Sequence, residues 1–121
     1  NHSAAVRFLR SAGRDVSIVC SGRYGKFSLE DFVYAGKLVE GLIGNGGGEV
    51  SNDGSLAALE LFHRYRSQLP ELVRSCLHGR YLAQIGFDSD LDYCARVDSH
   101  DSVPILIEGK LRLAKSNGKS R

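Results

Sequence analysis

The chain is organised around one segment, Cys20-Ser-Gly-Arg-Tyr-Gly-Lys-Phe-Ser-Leu-Glu-Asp31. The run before it, Asp15-Val-Ser-Ile-Val-Cys20, is short, apolar and β-branched, which predicts a buried strand. After it, Ser28 and Asp31 form a variant of the capping box, and flanking phenylalanines supply a hydrophobic staple. The predicted order is therefore a strand, a basic loop that contains glycine, and a helix N-terminus.

This order predicts an anion-binding site in the loop. Open α/β sheets place ligands at the carboxyl ends of their strands, and a helix N-terminus offers free N–H groups and a positive dipole end. Glycines allow the backbone to approach a ligand, and basic side chains add positive charge. The predicted anion-binding residues are Ser21, Gly22, Arg23, Gly25, Lys26 and Ser28. The alternative is an ordinary capped turn, in which Glu30 and Asp31 only complement the helix dipole.

Length and composition indicate one soluble globular domain. The chain has 121 residues, of which 42% are hydrophobic and 25% charged. A net charge of +2 is too small to predict binding to nucleic acid or to a membrane surface. No apolar run approaches the roughly 20 residues that span a bilayer. Three widely spaced cysteines without metal-binding spacing predict reduced thiols and a cytoplasmic location.

Hydrophobic periodicity predicts helices at 3–12, 29–43, 54–67, 69–77, 81–85 and 89–95, and a second strand at 103–108. Gly36, inside the second helix, predicts close packing against a neighbouring element. Asp53 or Ser51 is expected to cap the third helix, and His78-Gly79 is expected to interrupt or bend the chain. Beyond the second strand, residues 111 and 113 either extend it or pair back on it.

Motifs spread along the chain resemble one family, the 2-phosphosulfolactate phosphatases of coenzyme M biosynthesis and their bacterial relatives. The first is Asp15-Val-x-x-Val-Cys20-x-Gly22-x-x-Gly25-x-Phe27-Ser28-Leu29-Glu30-Asp31, followed by Ala35-Gly36. The others are Ser75-x-x-His78-Gly79-x-x-Leu82-x-x-x-Gly86, Asp90-x-x-x-Cys94-Ala95-x-x-Asp98 and Val103-Pro104. The likeness covers nearly the whole chain up to about Pro104, in the order of the family's motifs.

The resemblance is to the carboxyl-terminal half of these proteins only. It implies an α/β fold with a sheet flanked by helices, in which residues 1–114 are the C-terminal portion of a larger two-part α/β phosphatase. Residues 115–121 are predicted to be a disordered basic tail. The chain opens on Asn1 and contains no Met, so we expect truncation, processing or engineering at its amino terminus. The expected partner is the missing N-terminal half, or a second copy in a homo-oligomer.

The resemblance also implies Mg²⁺-dependent hydrolysis of a phosphate monoester, with 2-phosphosulfolactate giving sulfolactate and phosphate. The substrate is then a small phosphate and sulfonate compound, with no role for nucleic acid or membrane. Mg²⁺ is held by one or two carboxylates, with waters and substrate oxygens completing its shell. Glu30 and Asp31 are the leading catalytic and metal-binding carboxylates, ahead of Asp90 and Asp98. His78 is either a general acid or phosphate ligand, or a helix-end residue favoured by the dipole.

Two alternatives remain open. Cys20 could be a covalent nucleophile, but the segment after it lacks the phosphate-cradling loop of cysteine phosphatases, so we expect a small packing residue at a strand end. The chain as a whole could be a non-catalytic anion-binding or assembly domain, because the family's other half is absent.

Overall fold

A computed structural model of the protein describes residues 1–114, apart from the side chain of residue 45. The α-helices in this range are α1 (His2–Ala12), α2 (Leu29–Ile43), α3 (Asp53–Tyr65), α4 (Leu69–Ser75), α5 (Leu77–Gln84) and α6 (Asp88–Cys94). A short 3₁₀ turn, Gly44–Gly46, follows α2. Two strands, β1 (Pro104–Ile107) and β2 (Lys110–Leu113), form an antiparallel hairpin. The described part of the chain is thus rich in helix and contains a small two-stranded sheet.

The core lies between α2 and α3. Val33, Phe62 and Leu72 form its buried centre, and partly buried apolar side chains of α2, α3 and α4 pack around them. The two helices approach closely because Gly36 has no side chain: a Cβ there would lie 1.9 Å from the Ala58 carbonyl oxygen. The close packing that Gly36 predicted is confirmed.

The helices α4, α5 and α6 pack on one another beside this pair. Arg74 of α4 pairs with Asp88 at 2.6 Å and with Asp92 at 2.8 Å, both on α6. Gly79 of α5 lies against α4, where a Cβ would approach the Val73 carbonyl oxygen to 1.7 Å. These contacts fix the N-terminal turn of α5, which faces the loop at residues 21–28.

The first helix is anchored by the segment that follows α6. Asp98 accepts hydrogen bonds from the backbone N–H of Ser3 at 2.7 Å and from its hydroxyl at 2.6 Å. The two hydrogen bonds from Ser3 lower the pKa of Asp98. This carboxylate, one of the weaker predicted metal ligands, therefore connects α1 to the segment that follows α6.

Most predicted helices are confirmed to within two or three residues, and α2 has the predicted bounds. Two details were wrong. The cap of α3 is Asn52, whose side chain accepts a hydrogen bond from the Ser55 N–H at 2.9 Å, and Asp53 is the first helical residue. The break predicted at His78-Gly79 occurs at Cys76, where an extended backbone separates α4 from α5.

The predicted strand at residues 15–20 is the main correction. Within the described residues this segment belongs to no sheet, and Val19 is 89% exposed. A strand exists only as one side of a hydrogen-bonded ladder, and residues 1–114 supply no partner for this one. Cys20, predicted to be buried at the strand end, is exposed for the same reason. A sheet flanked by helices is therefore not present among these residues.

The second predicted strand is confirmed as β1, and residues 111 and 113 pair back on it as β2. Leu106 and Leu111 are directly opposite each other in the hairpin, and both are largely exposed. The predicted basic tail, residues 115–121, lies outside the described residues. Over the described range, the helices are too short or too polar to cross a membrane.

Candidate anion-binding and catalytic site

The basic loop closes as a tight turn. Arg23 and Lys26 exchange two backbone hydrogen bonds, of 3.0 and 2.9 Å. The central residues, Tyr24 and Gly25, have φ values of 51° and 69°, and a positive φ at both positions is the requirement of a type I′ turn. Glycine adopts this conformation without cost, whereas Tyr24 is strained by it. The predicted glycine loop is therefore a narrow basic turn with an exposed aromatic tip.

Gly22 and Asp31 join this turn to α2. The Gly22 N–H donates a hydrogen bond of 2.7 Å to Oδ2 of Asp31. Gly22 itself has a φ of 66°, and a Cβ at this position would lie 2.5 Å from the Lys26 carbonyl oxygen. No other residue fits here without moving the turn. Asp31 thus holds the loop against the first turn of the helix, a contact that sequence reasoning had not assigned to it.

The N-terminus of α2 carries no side-chain cap. Ser28 is the N-cap residue, with extended φ and ψ of −117° and 124°, but its side chain makes no capping hydrogen bond. The predicted capping box is therefore wrong, because Asp31 bonds to Gly22 instead. The hydrophobic staple is confirmed, since the rings of Phe27 and Phe32 pack edge to face at 5.3 Å. The first-turn N–H groups of α2 thus lack the acceptor that Ser28 would provide, as an anion site requires.

His78 comes to this helix end from α5. Its Nδ1 lies 2.9 Å from Oε1 of Glu30, and the two side chains are 41% and 22% exposed. His78 stands in the first turn of α5, at the N-terminal end of the helix, whereas the dipole favours cations near the C-terminal end. The alternative that the dipole favours His78 is therefore wrong, and its partner is the Glu30 carboxylate. With Nδ1 engaged, Nε2 is the ring atom left for a ligand or a proton.

A second contact links α5 to the turn. The guanidinium of Arg23 lies over the ring of Tyr81, 4.0 Å from its centroid, and over the ring of Tyr24 at 4.8 Å. Tyr81 follows His78 by three residues, so both lie on one face of α5. Sequence reasoning missed Tyr81. The one sequence feature that could have indicated Tyr81 is its spacing of three residues from His78. That spacing predicts a contact with the loop only if His78 is already known to face the loop.

Glu30, Asp31 and His78, the three predicted catalytic residues, line one cleft of about 470 Å³. The buried thiol of Cys76 lies in the same cleft, donating to the Val73 carbonyl oxygen at 3.2 Å and accepting from the Gly79 N–H at 3.3 Å. The turn predicted to bind an anion does not line this cleft but adjoins it through the bond from Gly22 to Asp31. Asp90, on α6, is exposed and outside it.

Neither Cys20 nor Cys76 has the character of an activated nucleophile. Burial raises the pKa of the Cys76 thiol, and partial desolvation together with the Asp31 carboxylate raises that of Cys20. Reactive cysteines have a lowered pKa instead. This favours a non-nucleophilic role for Cys20.

A family model described as 2-phosphosulpholactate phosphatase matches residues 1–109. The chain belongs to this family. The resemblance inferred from its motifs is therefore confirmed.

Individual relatives agree with this membership. The chain is 37% identical to a probable 2-phosphosulfolactate phosphatase of Symbiobacterium thermophilum, over 93% of this chain and 48% of the relative. The probable 2-phosphosulfolactate phosphatase of Thermotoga maritima is also 37% identical, over 90% of this chain and 46% of the relative. The probable 2-phosphosulfolactate phosphatase of Gloeobacter violaceus is 38% identical, over 90% of this chain and 47% of the relative. The chain thus spans about half the length of the curated relatives it matches.

The donor set of this family member fits Mg²⁺ in part. Glu30 and Asp31 are hard oxygen donors on one cleft, and one oxygen of each is already hydrogen-bonded. Among residues 1–114, no three His, Cys, Asp or Glu side chains form a group that could hold a metal ion. Mg²⁺ commonly uses one or two carboxylates and takes its other ligands from water and substrate, so the number and type of these two donors fit part of such a shell.

Proposed function

We propose that this chain carries part of the active site of a phosphatase, which hydrolyses the phosphate monoester 2-phosphosulfolactate to sulfolactate and phosphate. The observation that carries the proposal is the family match over residues 1–109, together with relatives of that name at about 37% identity. The place of such an enzyme in coenzyme M biosynthesis belongs to the same proposal. We also propose that activity requires residues outside this chain, because the chain spans about half the length of each relative.

In the proposed reaction, these residues have the following roles. The phosphate group binds at residues 21–28, where Arg23, Lys26 and the uncapped end of α2 offer positive charge and N–H donors. When water attacks phosphorus, the bond from phosphorus to the 2-oxygen of the substrate breaks and that oxygen needs a proton, while the protons of the water stay on the phosphate product or pass to solvent. His78 supplies that proton from Nε2 as a general acid, and Glu30 at Nδ1 stabilises the imidazolium form.

Mg²⁺ is part of this proposal, with Glu30 and Asp31 as the residues that would hold it. The chemistry supplied by bound Mg²⁺ is neutralisation of charge on the transferring phosphoryl group. Glu30 would use the carboxylate oxygen that does not face His78. Asp31 would keep its bond to Gly22, so that the metal and the turn are held by one side chain.

The test is phosphate release from 2-phosphosulfolactate by this chain joined to the part of the relatives that it does not match. We expect Mg²⁺-dependent turnover that a chelator abolishes and fresh Mg²⁺ restores. Phospholactate, which lacks the sulfonate, is the control substrate. It should be hydrolysed much more slowly than 2-phosphosulfolactate. Equal rates on both compounds would refute the proposed substrate, and absence of phosphate release from either would refute the phosphatase itself.

A second candidate, a non-catalytic anion-binding domain, is favoured by one specific observation. Residues 1–114 provide a basic turn and an uncapped helix end, while the chain spans only about half the length of its relatives. Such a domain would bind inorganic phosphate at residues 21–28 and would release none from any ester, even with the additional residues attached. The same assay therefore separates the two candidates.

A further inference from the structure

The side chain of Arg23 is held in an unusual way for an exposed loop. Its Cζ lies over two aromatic rings, 4.0 Å from the ring centroid of Tyr81 and 4.8 Å from that of Tyr24. Both distances are within the roughly 6 Å over which a cation is attracted to a ring face. The ion pairs formed within residues 1–114 do not include Arg23, so in that range its positive charge is not matched by a carboxylate.

The two rings differ in what holds them. Tyr24 is part of the turn itself and is 83% exposed, so it moves wherever the turn moves. Tyr81 belongs to α5, whose N-terminal turn is fixed by the bond between His78 and Glu30. Tyr81 is therefore the contact that ties the guanidinium to the body of the protein.

A guanidinium over a ring face need not use its edge N–H groups in that contact. The N–H groups on that edge match two oxygens of a phosphate, a geometry that lysine cannot reproduce. An unstacked arginine would lose much of its rotamer freedom on binding an anion. The stack removes part of that freedom before the anion arrives, which strengthens binding by preorganisation.

We propose that Tyr81 is a positioning residue, which holds the Arg23 guanidinium so that its free edge meets a phosphate oxyanion bound at residues 21–28. This inference rests on the proposed function, since it takes the anion site from there. It adds a residue on α5 to a site otherwise built from the loop and α2.

The test uses the 121-residue chain, labelled for NMR and titrated with inorganic phosphate. The side-chain protons of Arg23 should show an upfield ring-current shift, which reports the stack directly. Tyr81→Leu should abolish that shift and weaken phosphate binding at the 21–28 amides by roughly threefold to tenfold. Tyr81→Phe keeps the ring face and should retain both. Tyr93→Leu is the matched control, because Tyr93 is a similarly exposed tyrosine with its own arginine partner, Arg96.

A wild-type measurement covers the case in which Tyr81→Leu fails to fold. The Arg23 side-chain N–H resonance should shift together with the 21–28 amides as phosphate is added. If it stays fixed while those amides respond, or if folded Tyr81→Leu binds phosphate as tightly as wild type, the positioning role of Tyr81 is wrong and the anion site stands. If the amides themselves do not respond to phosphate, the anion site and the role of Tyr81 both fail.

Discussion

Glu30 and His78 were separate candidates in the sequence, and the fold makes them one unit. Their contact at 2.9 Å joins the first turn of α2 to the first turn of α5. Each residue alone has an ordinary explanation, as a helix-dipole partner or as a polar surface group. Together on one cleft, they are the pair to which we assign the proposed proton transfer.

We expect Glu30→Gln to lower kcat by roughly a hundredfold or more, because a neutral amide cannot stabilise the imidazolium of a general acid. The measurement is phosphate release from the chain joined to the remaining half, at limiting and at saturating Mg²⁺. Glu71→Gln is the control, since Glu71 is an exposed acid in the first turn of α4. An unchanged kcat for Glu30→Gln at both Mg²⁺ concentrations would assign Glu30 a structural role only.

Asp98 provides a test of stability against pH. Its folded pKa is lowered by two hydrogen bonds from Ser3, so its contribution is present at neutral pH. That contribution is lost as the pH falls from about 4, the ordinary aspartate value, through the lower folded value. In urea unfolding, wild type should exceed Asp98→Asn in stability at neutral pH, and the difference should shrink below about pH 4.

The control for this measurement is Asp101→Asn, since Asp101 is a nearby acid that is 91% exposed. It should show a small difference from wild type at every pH, as expected of an exposed charge. A difference between wild type and Asp98→Asn that stays constant down to acid pH would show that the carboxylate charge of Asp98 does not stabilise the fold.

At the level of elements, the contact between α2 and α3 depends on Gly36. We expect Gly36→Ala to destabilise the protein by about 2–3 kcal/mol or more, because its Cβ would lie 1.9 Å from the Ala58 carbonyl oxygen. Chemical denaturation measures this change. Gly48→Ala is the matched control, since a Cβ there meets nothing within 4 Å, and its effect should stay within about 0.5 kcal/mol. Equal stabilities of the two variants would mean that the helices do not pack this closely.

Local sequence patterns were sufficient to predict the bounds of α2, but they did not predict where α4 ends and α5 begins. The bounds of α2 follow from an apolar stripe and a staple, both encoded within the helix and its flanks. The break at Cys76 depends on a thiol that accepts the Gly79 N–H, and cysteine is not among the ordinary capping residues. The stack of Arg23 on Tyr81 joins distant parts of the chain, so no periodicity could reveal it.

The strand predicted at residues 15–20 shows that composition alone does not determine whether a segment joins a sheet. A β-branched apolar run indicates a preference for a sheet, but a strand also needs a neighbour to accept and donate its hydrogen bonds. Within residues 1–114 that neighbour is missing. The basic loop and the helix end after it were more predictable than the sheet, because they are contiguous in sequence.

At the scale of the whole molecule, three observations agree with a site that is shared with further residues. Residues 15–20 lie outside any sheet in the described range, and the leucines of the β1–β2 hairpin are largely exposed. The chain spans about half the length of its relatives. A two-stranded hairpin is marginal alone and gains stability when it joins more strands. We therefore expect additional residues to complete both the sheet and the active site.

The most direct test of this account is a phosphate-release assay with 2-phosphosulfolactate, performed on the 121-residue chain alone and after addition of the unmatched half of a relative. The half is supplied either on the same chain or as a separate chain, with chelator controls. We predict little or no turnover by the chain alone and Mg²⁺-dependent phosphate release once the second half is present. Full activity from the 121 residues alone would contradict the shared site, because every catalytic group would then already lie in this chain.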